Sequence, residues 1–146
     1  MGRLLCCGLV VIGLGTAALS FAGGPAGPSS MIIYQSLPGP GEKIELDADH
    51  YFTYGFASKP KIGTAIMRVE IFTRDGKRDT SFVVKGDADM PSMRGAHSTG
   101  DHAFTLSAKG VYLLPVQLVM PGDWEVKLTF IKKGKAVLRG SYLFDL

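Results

Sequence analysis

The segment "DADMPSMRGAHSTGDH", Asp87 to His102, places two thioethers and two imidazoles in a polar setting: Met90, Met93, His97 and His102. Thioether sulfur is a soft donor that suits Cu(I), and imidazole can complete the shell of such an ion. Met90 and Met93 lie three apart across Pro91, among Gly, Ser and Asp residues that read as a surface loop. Buried methionine ordinarily sits in apolar sequence, which sets this pair apart. Met120, in "VMPGDW", is a further candidate donor. Copper(I) held by Met90, Met93, His97, Met120 and His102 is therefore the chemistry to test.

Each candidate also has a structural reading. Methionine is a common filler of core gaps, and Met67 and Met120 both fit alternating strand patterns. A histidine on a strand face, as His102 is, is more often a half-exposed polar residue than a ligand. Asp87, Asp89 and Asp101 lack the dense spacing of a calcium loop and suit turn formation better. His97, Ser98 and Asp101 contain the letters of a hydrolase triad, but residues this close on one loop rarely reach the required geometry, and no nucleophile elbow is present. With no phosphate loop, Rossmann glycines or paired carboxylates in a cleft, the sequence argues against an enzyme.

The elements that must position these donors are short strands. From Met31 onward the hydrophobic pattern has period two, broken about every ten residues by Gly, Pro, Asp and Lys clusters. The expected strands are Met31 to Leu37, a short piece at Lys43 to Leu46, Tyr51 to Ala57, Thr64 to Arg74, Thr80 to Lys85, His102 to Ala108, Val111 to Met120, Trp124 to Lys132 and Ala136 to Leu146. Asp75-Gly76 suits a tight hairpin turn, and "KKGK", Lys132 to Lys135, reads as a charged hairpin tip. Pro115 cannot donate to a ladder, so its strand lies there at an edge or bulge. His102, Phe104 and Leu106 are expected to share one face.

This pattern predicts an all-β fold, an immunoglobulin-like antiparallel β-sandwich of seven to eight strands, with a barrel as the alternative. Because consecutive strands alternate direction, the connections that follow Ala57, Lys85 and Met120 fall at one end. That end would gather Met90, Met93, His97, Met120 and His102, with Met67 nearby. His50 falls at the other end and is a poor ligand candidate.

The first residues set the compartment. Arg3 is followed by an apolar run from Leu4 to about Ala18, and Ser20 and Ala22 supply small residues for cleavage, so residues 1–22 read as a secretory signal peptide. "GGPAGPSS", residues 23–30, reads as a flexible tether, and residues 31–146 as one domain. Cleavage after Ala22 leaves 124 residues, enough for one domain with a real core. Both cysteines, Cys6 and Cys7, fall inside the signal, so soft-metal chemistry in the mature chain must use thioether and imidazole. The formal net charge of +3 is too small and too scattered to imply nucleic acid.

The order "DMPSM", a histidine soon after, and "GVYLLPVQLVMPGDWEVKLTF", within Ala88 to Thr129, resembles the YtkA-like domains, which are related to the FixH-like periplasmic proteins. That resemblance implies an immunoglobulin-like, exported or membrane-anchored domain associated with copper handling and assembly of copper-containing respiratory oxidases. It matches Met90, Met93 and Met120 to motif methionines, and Gly110, Tyr112, Gly122 and Trp124 to structural positions. Where the family often reads Met-Gly-His after the second methionine, Arg94 and Gly95 intervene here and the histidine is His97.

Two functions follow as expectations. One is a periplasmic or secreted non-catalytic accessory domain that binds copper(I) or passes it to a copper-containing or copper-transporting envelope protein. The other is a metal-independent protein-interaction module of the cell envelope, its methionines serving as adaptable apolar contacts.

Overall fold

A computed structural model describes residues Ile32–Leu146, which form one compact unit. The segments expected to be a signal peptide and a tether, and Met31, lie outside the described residues. Ten strands run in chain order: β1 (Gln35–Ser36), β2 (Ile44–Asp47), β3 (His50–Phe56), β4 (Gly63–Thr73), β5 (Val83–Asp89), β6 (His102–Ala103), β7 (Thr105–Leu106), β8 (Tyr112–Leu118), β9 (Asp123–Lys132) and β10 (Lys135–Asp145). They form two five-stranded sheets, ordered β1-β10-β9-β5-β6 and β2-β3-β4-β8-β7, facing each other as a sandwich. Among the described residues no helix is long and apolar enough to cross a membrane.

Alternation explains why the long strands pair as they do. Along β4, Ala65, Met67, Val69 and Ile71 are buried while Arg68 is exposed. Along β9, Trp124, Val126, Leu128 and Phe130 are fully buried. Glu125 and Thr129, on the opposite face of β9, are buried as well, because β10 and β5 flank this strand on both sides. The two sheets meet at Phe52 and Phe130, whose ring centroids are 4.3 Å apart. Burial of each such large apolar side chain contributes about 1.5–3 kcal/mol, and Met67 belongs to this core at 0% exposure.

The turn residues act as their chemistry requires. β9 and β10 join through Lys133 (φ 49°) and Gly134 (φ 76°), the two-residue loop with positive φ at both positions that a twisted hairpin favours. Pro115 pairs with β4 opposite Ile66, while on the other side β7 reaches only Tyr112 and Leu113. Its strand is therefore an edge locally, as expected.

Three expectations need correction. The first strand shrinks to Gln35–Ser36 and runs parallel to β10, so the first sheet is mixed. Among the described residues of this segment only Leu37 reaches the core, against Gly140, where a Cβ would stand 2.5 Å from a Leu37 methyl. The turn at Asp75-Gly76 makes a tight hairpin as expected, Thr73 N–H donating to Lys77 O at 2.8 Å and Asp79 N–H to Ile71 O at 2.9 Å around an antiparallel Phe72–Arg78 bridge, but the returning arm is short and the strand that follows lies in the other sheet. The expected strand Thr80 to Lys85 sits further on, at Val83–Asp89, because Ala88 is buried and Asp89 finds backbone partners. Finally, His102 to Ala108 is two strands, one per sheet. Phe104 turns inward between them while His102 and Leu106 stay exposed, so these three side chains do not share a face. The splitting of this strand, together with the short piece that forms β2, raises the count from the seven or eight expected to ten among the described residues.

Candidate functional site

The methionine segment leaves β5 at Asp89, whose carboxylate organises the loop. Asp89 Oδ1 accepts the Met90 N–H and Oδ2 accepts the Gly95 N–H, each at 2.9 Å. Between them Pro91–Met93 forms one 3-10 turn, for which proline at the start has the right fixed φ and no N–H to lose. Met93 N–H donates to Met90 O at 2.9 Å, and Ala96 N–H to Met93 O at 3.0 Å. Lower down, Thr99 and Ala88 exchange two bonds of 3.0 Å through the Thr99 N–H and hydroxyl.

The β8–β9 turn holds the loop from the other side. Ser92 N–H donates to Asp123 Oδ2 at 3.0 Å, and the Ser92 hydroxyl donates to Asp123 Oδ1. Arg94 Nη1 donates to Glu125 Oε2 at 3.0 Å. The turn itself is fixed by Trp124 Nε1–H on Met120 O at 3.1 Å and by Leu146 N–H on Gly122 O at 3.1 Å. At Gly122 (φ 135°) a Cβ would stand 3.0 Å from the Met90 methyl, so the side chain of Met90 reaches this turn.

These contacts bring Met90 and the Met120 turn together at one end of the sandwich. Met90 is buried at 3% exposure and belongs to the core, which corrects its reading as a surface-loop residue. Proline and the continuation of β5 to Asp89 turn Met90 inward, and only beyond it does the loop become exposed. Met93 is 44% exposed, Met120 is half-buried and packs on the core, and His97 is half-buried. His102 stands apart. It pairs with Gly86, four residues or roughly 13 Å of strand below Met90, and it is exposed. Trp124 is a core residue at 0% exposure.

Charge at this end is carboxylate held by amides and cations. Burial works to raise the Asp89 pKa, but the Gly95 and Met90 amides, with Lys127 and Arg94, outweigh it and hold the group below the usual carboxylate range. Asp123 is lowered chiefly by the Ser92 hydroxyl. Both carboxylates are committed to loop structure. Ser98 donates to Asp87 Oδ1 at 3.1 Å and Asp101 pairs with Lys85 at 3.6 Å, so the three letters of a triad are dispersed. Among the described residues no group of three or more His, Cys, Asp or Glu side chains is placed to hold a metal ion. Met90 and Met93 on the loop and Met120 on the facing turn carry thioethers, and His97 carries an imidazole on the same loop as the first two.

Sequence reasoning missed the staples Asp89, Ser92, Arg94, Asp123 and Glu125. The carboxylate–amide role of Asp89 was readable as turn chemistry, whereas the Ser92–Asp123 and Arg94–Glu125 contacts each span 31 positions and leave no local signal. A second polar cluster, around His50 at the other end, was also missed.

A family model described as YtkA-like matches residues 52–129, more than half of the chain. None of the curated proteins matches it. Among solved structures, the crystal structure of FetP from a uropathogenic E. coli strain, expressed in the periplasm of E. coli, is similar at 10% identity with a TM-score of 0.48, covering 73% of this chain and 93% of that one. The matched residues run from the core strand β3 to β9 and include the Met90 loop and the Met120 turn that packs against it, and the chain belongs to the YtkA-like family.

Proposed function

We propose that this chain is an exported, non-catalytic accessory domain that binds copper(I) at its methionine end and hands it to a copper-containing or copper-transporting envelope protein. The observation that carries the reading is the stapling of the Met90–Met93 turn to the Met120 turn through Ser92–Asp123 and the Met90–Gly122 contact, which joins segments whose methionines are 30 positions apart in sequence. Met93 and Met120 would be the accessible thioethers, Met90 the buried one that seats the loop, and His97 the imidazole. His102, lower on the edge strand, is the outlying candidate. Bound copper would supply a soft cation for transfer. Ligands with exposed surface can be exchanged one at a time, which suits handover. The apolar leader at residues 4–18 supports an extracytoplasmic site of action, in the periplasm or outside the cell.

Titration of the chain with Cu(I) against a competing chelator tests this. Binding that weakens at least about tenfold in Met93→Leu and in Met120→Leu, roughly 1.4 kcal/mol each, is the expected result. No binding, or binding indifferent to both changes, removes the proposal.

A second reading, a metal-independent interaction module, is favoured by a trough beside the same turn. Lys59, Pro60, Lys61, Ile62, Pro121, Asp145 and Leu146 line a cavity of about 600 Å³. Ile62 and Val119, at the ends of the β4–β8 pair, are 57% and 56% exposed. A partner captured equally well with and without copper would favour this reading.

A further inference from the structure

The outer face of the second sheet carries no further layer among the described residues. On β3, Tyr51, Thr53 and Gly55 lie on this face, because Phe52 and Tyr54 between them are buried in the core. Their partners on β4 are Phe72, Glu70 and Arg68. The Tyr51 and Phe72 rings stack with centroids 5.3 Å apart, and each is covered by a cation. The Lys43 ammonium lies 4.9 Å from the Tyr51 centroid and the Arg78 guanidinium 5.5 Å from that of Phe72. Glu70 Oε1 accepts from Arg68 Nη2 at 2.8 Å, and Glu70 Oε2 accepts from Arg78. Arg74 Nη2 donates to Glu45 Oε2 at 3.1 Å. Lys43, Arg68, Arg74 and Arg78 therefore share Glu45 and Glu70, and the face stays net positive even with Glu42 of the adjoining turn counted.

Two recesses open on this face. One, of about 360 Å³, is lined by Pro40, Gly41, Thr53, Gly55, Arg68 and Glu70. The other, of about 250 Å³, is lined by Lys43, Glu45, Tyr51 and Arg74. The first is open because Gly55 has no side chain. A Cβ there would stand 3.5 Å from Pro40 Cβ, an ordinary contact, so neither crowding nor a positive φ requires glycine at this position. Arg68 bonds only Glu70 among the described residues, and the rest of its donor fork is left for a carboxylate.

From this arrangement we propose that the face docks an acidic, extended segment of a partner protein, with one carboxylate at Arg68 beside Gly55 and another at Lys43 and Arg74. Tyr51 and Gly55 are four residues apart on β3, roughly 13 Å. A segment laid along β3 in the same extended conformation carries side chains i and i+4 at that spacing and on one side. The planar guanidinium matches a carboxylate with two parallel bonds. Glu45 and Glu70 lie among the cations, so a polyanion charged at every unit meets repulsion that two spaced carboxylates avoid. A sugar ring finds no free aromatic platform, since both rings are already covered. The cations are solvent-exposed, so each new pair contributes modestly and association is weak and salt-dependent. None of these residues is a candidate copper ligand, and docking here does not depend on the metal.

The test is fluorescence anisotropy of the metal-free chain with a labelled threonine-rich peptide that carries two glutamates four positions apart, at low ionic strength. Binding is expected, with a Kd that rises about fivefold in Arg68→Gln and in Lys43→Gln, the worth of one exposed ion pair. Gly55→Ala fills the recess without changing charge and is expected to weaken binding to a similar extent. Lys133→Gln, at the β9–β10 turn of the other sheet, is expected to leave it within about twofold. No binding, equal binding of the glutamine version of the peptide, a Kd unmoved by any one of the first three changes, or preference for a sulfated glycan overturns the proposal. Amide chemical shifts of the wild-type chain decide the matter if a variant does not fold. Changes on adding the peptide are expected around Lys43, Tyr51, Gly55 and Arg68, whereas changes gathered at Ile62 and the trough overturn it. Because no copper is present, the result is independent of the Cu(I) titration.

Discussion

Met90 is at once a candidate ligand and a core side chain, and the two roles separate by substitution. Its methyl lies against Gly122 and its exposure is 3%, so Met90→Ala opens a cavity and is expected to cost about 2–5 kcal/mol. Met90→Leu keeps the volume and should cost less than about 1.5 kcal/mol. Urea denaturation of both variants measures the difference, and near-equal losses would mean that the site collapses around the missing atoms. Asp89 is a second decisive residue. Asp89→Ala strands the Met90 and Gly95 amides, for which about 1–3 kcal/mol is expected, with faster hydrogen exchange at Gly95. Because the folded state holds Asp89 below its ordinary pKa, its stabilisation is fully present above the normal carboxylate range and is lost as pH falls through the lowered value. The stability gap between the wild type and Asp89→Asn should therefore narrow below about pH 4.

Among the elements, β4 and β9 were legible because Ala65, Met67, Val69 and Ile71 in the one, and Trp124, Val126, Leu128 and Phe130 in the other, recur at every second position and leave one register that buries them. β5 was displaced because Asp87 and Asp89 read as loop, although the first faces the Ser98 and Thr99 hydroxyls and the second holds two amides. The division of residues 102–106 between two sheets was not legible at all, since its cause lies elsewhere in the chain. At Gly86 a Cβ would come within 2.8 Å of the Phe104 ring and 2.9 Å of Leu114. The missing side chain leaves the space through which Phe104 passes from one sheet to the other. The methionine segment was legible by composition, but the burial of Met90 was not, because its partner Gly122 is 32 positions away. Gly86→Ala is accordingly expected to destabilise by about 1–3 kcal/mol through overpacking. Loss of amide protection concentrated in β6 and β7 would locate the damage, whereas protection lost evenly would argue against Phe104 as the point of strain.

At the scale of the whole molecule, the methionine end is built on both sheets: the Met90 loop leaves β5 in the first, and Met120 follows β8 of the second. A ligand bridging these segments would bind the assembled sandwich and not the unfolded chain, whose donors are scattered. Native-state binding adds stability with the logarithm of ligand concentration, about 2.7 kcal/mol at a hundredfold excess over Kd. In a domain of this size that corresponds to a rise in Tm of about 10 °C or somewhat more. Cu(I) under reducing, anaerobic conditions should therefore raise the Tm of the wild-type chain, and the Met93→Leu, Met120→Leu double variant should unfold at one temperature with or without it. The double variant is informative because leucine preserves apolar volume, so a lost shift cannot be blamed on a lost core. A wild-type Tm indifferent to Cu(I) would leave the trough at Ile62 and Pro121 as the working surface of this end, and the methionines as its packing.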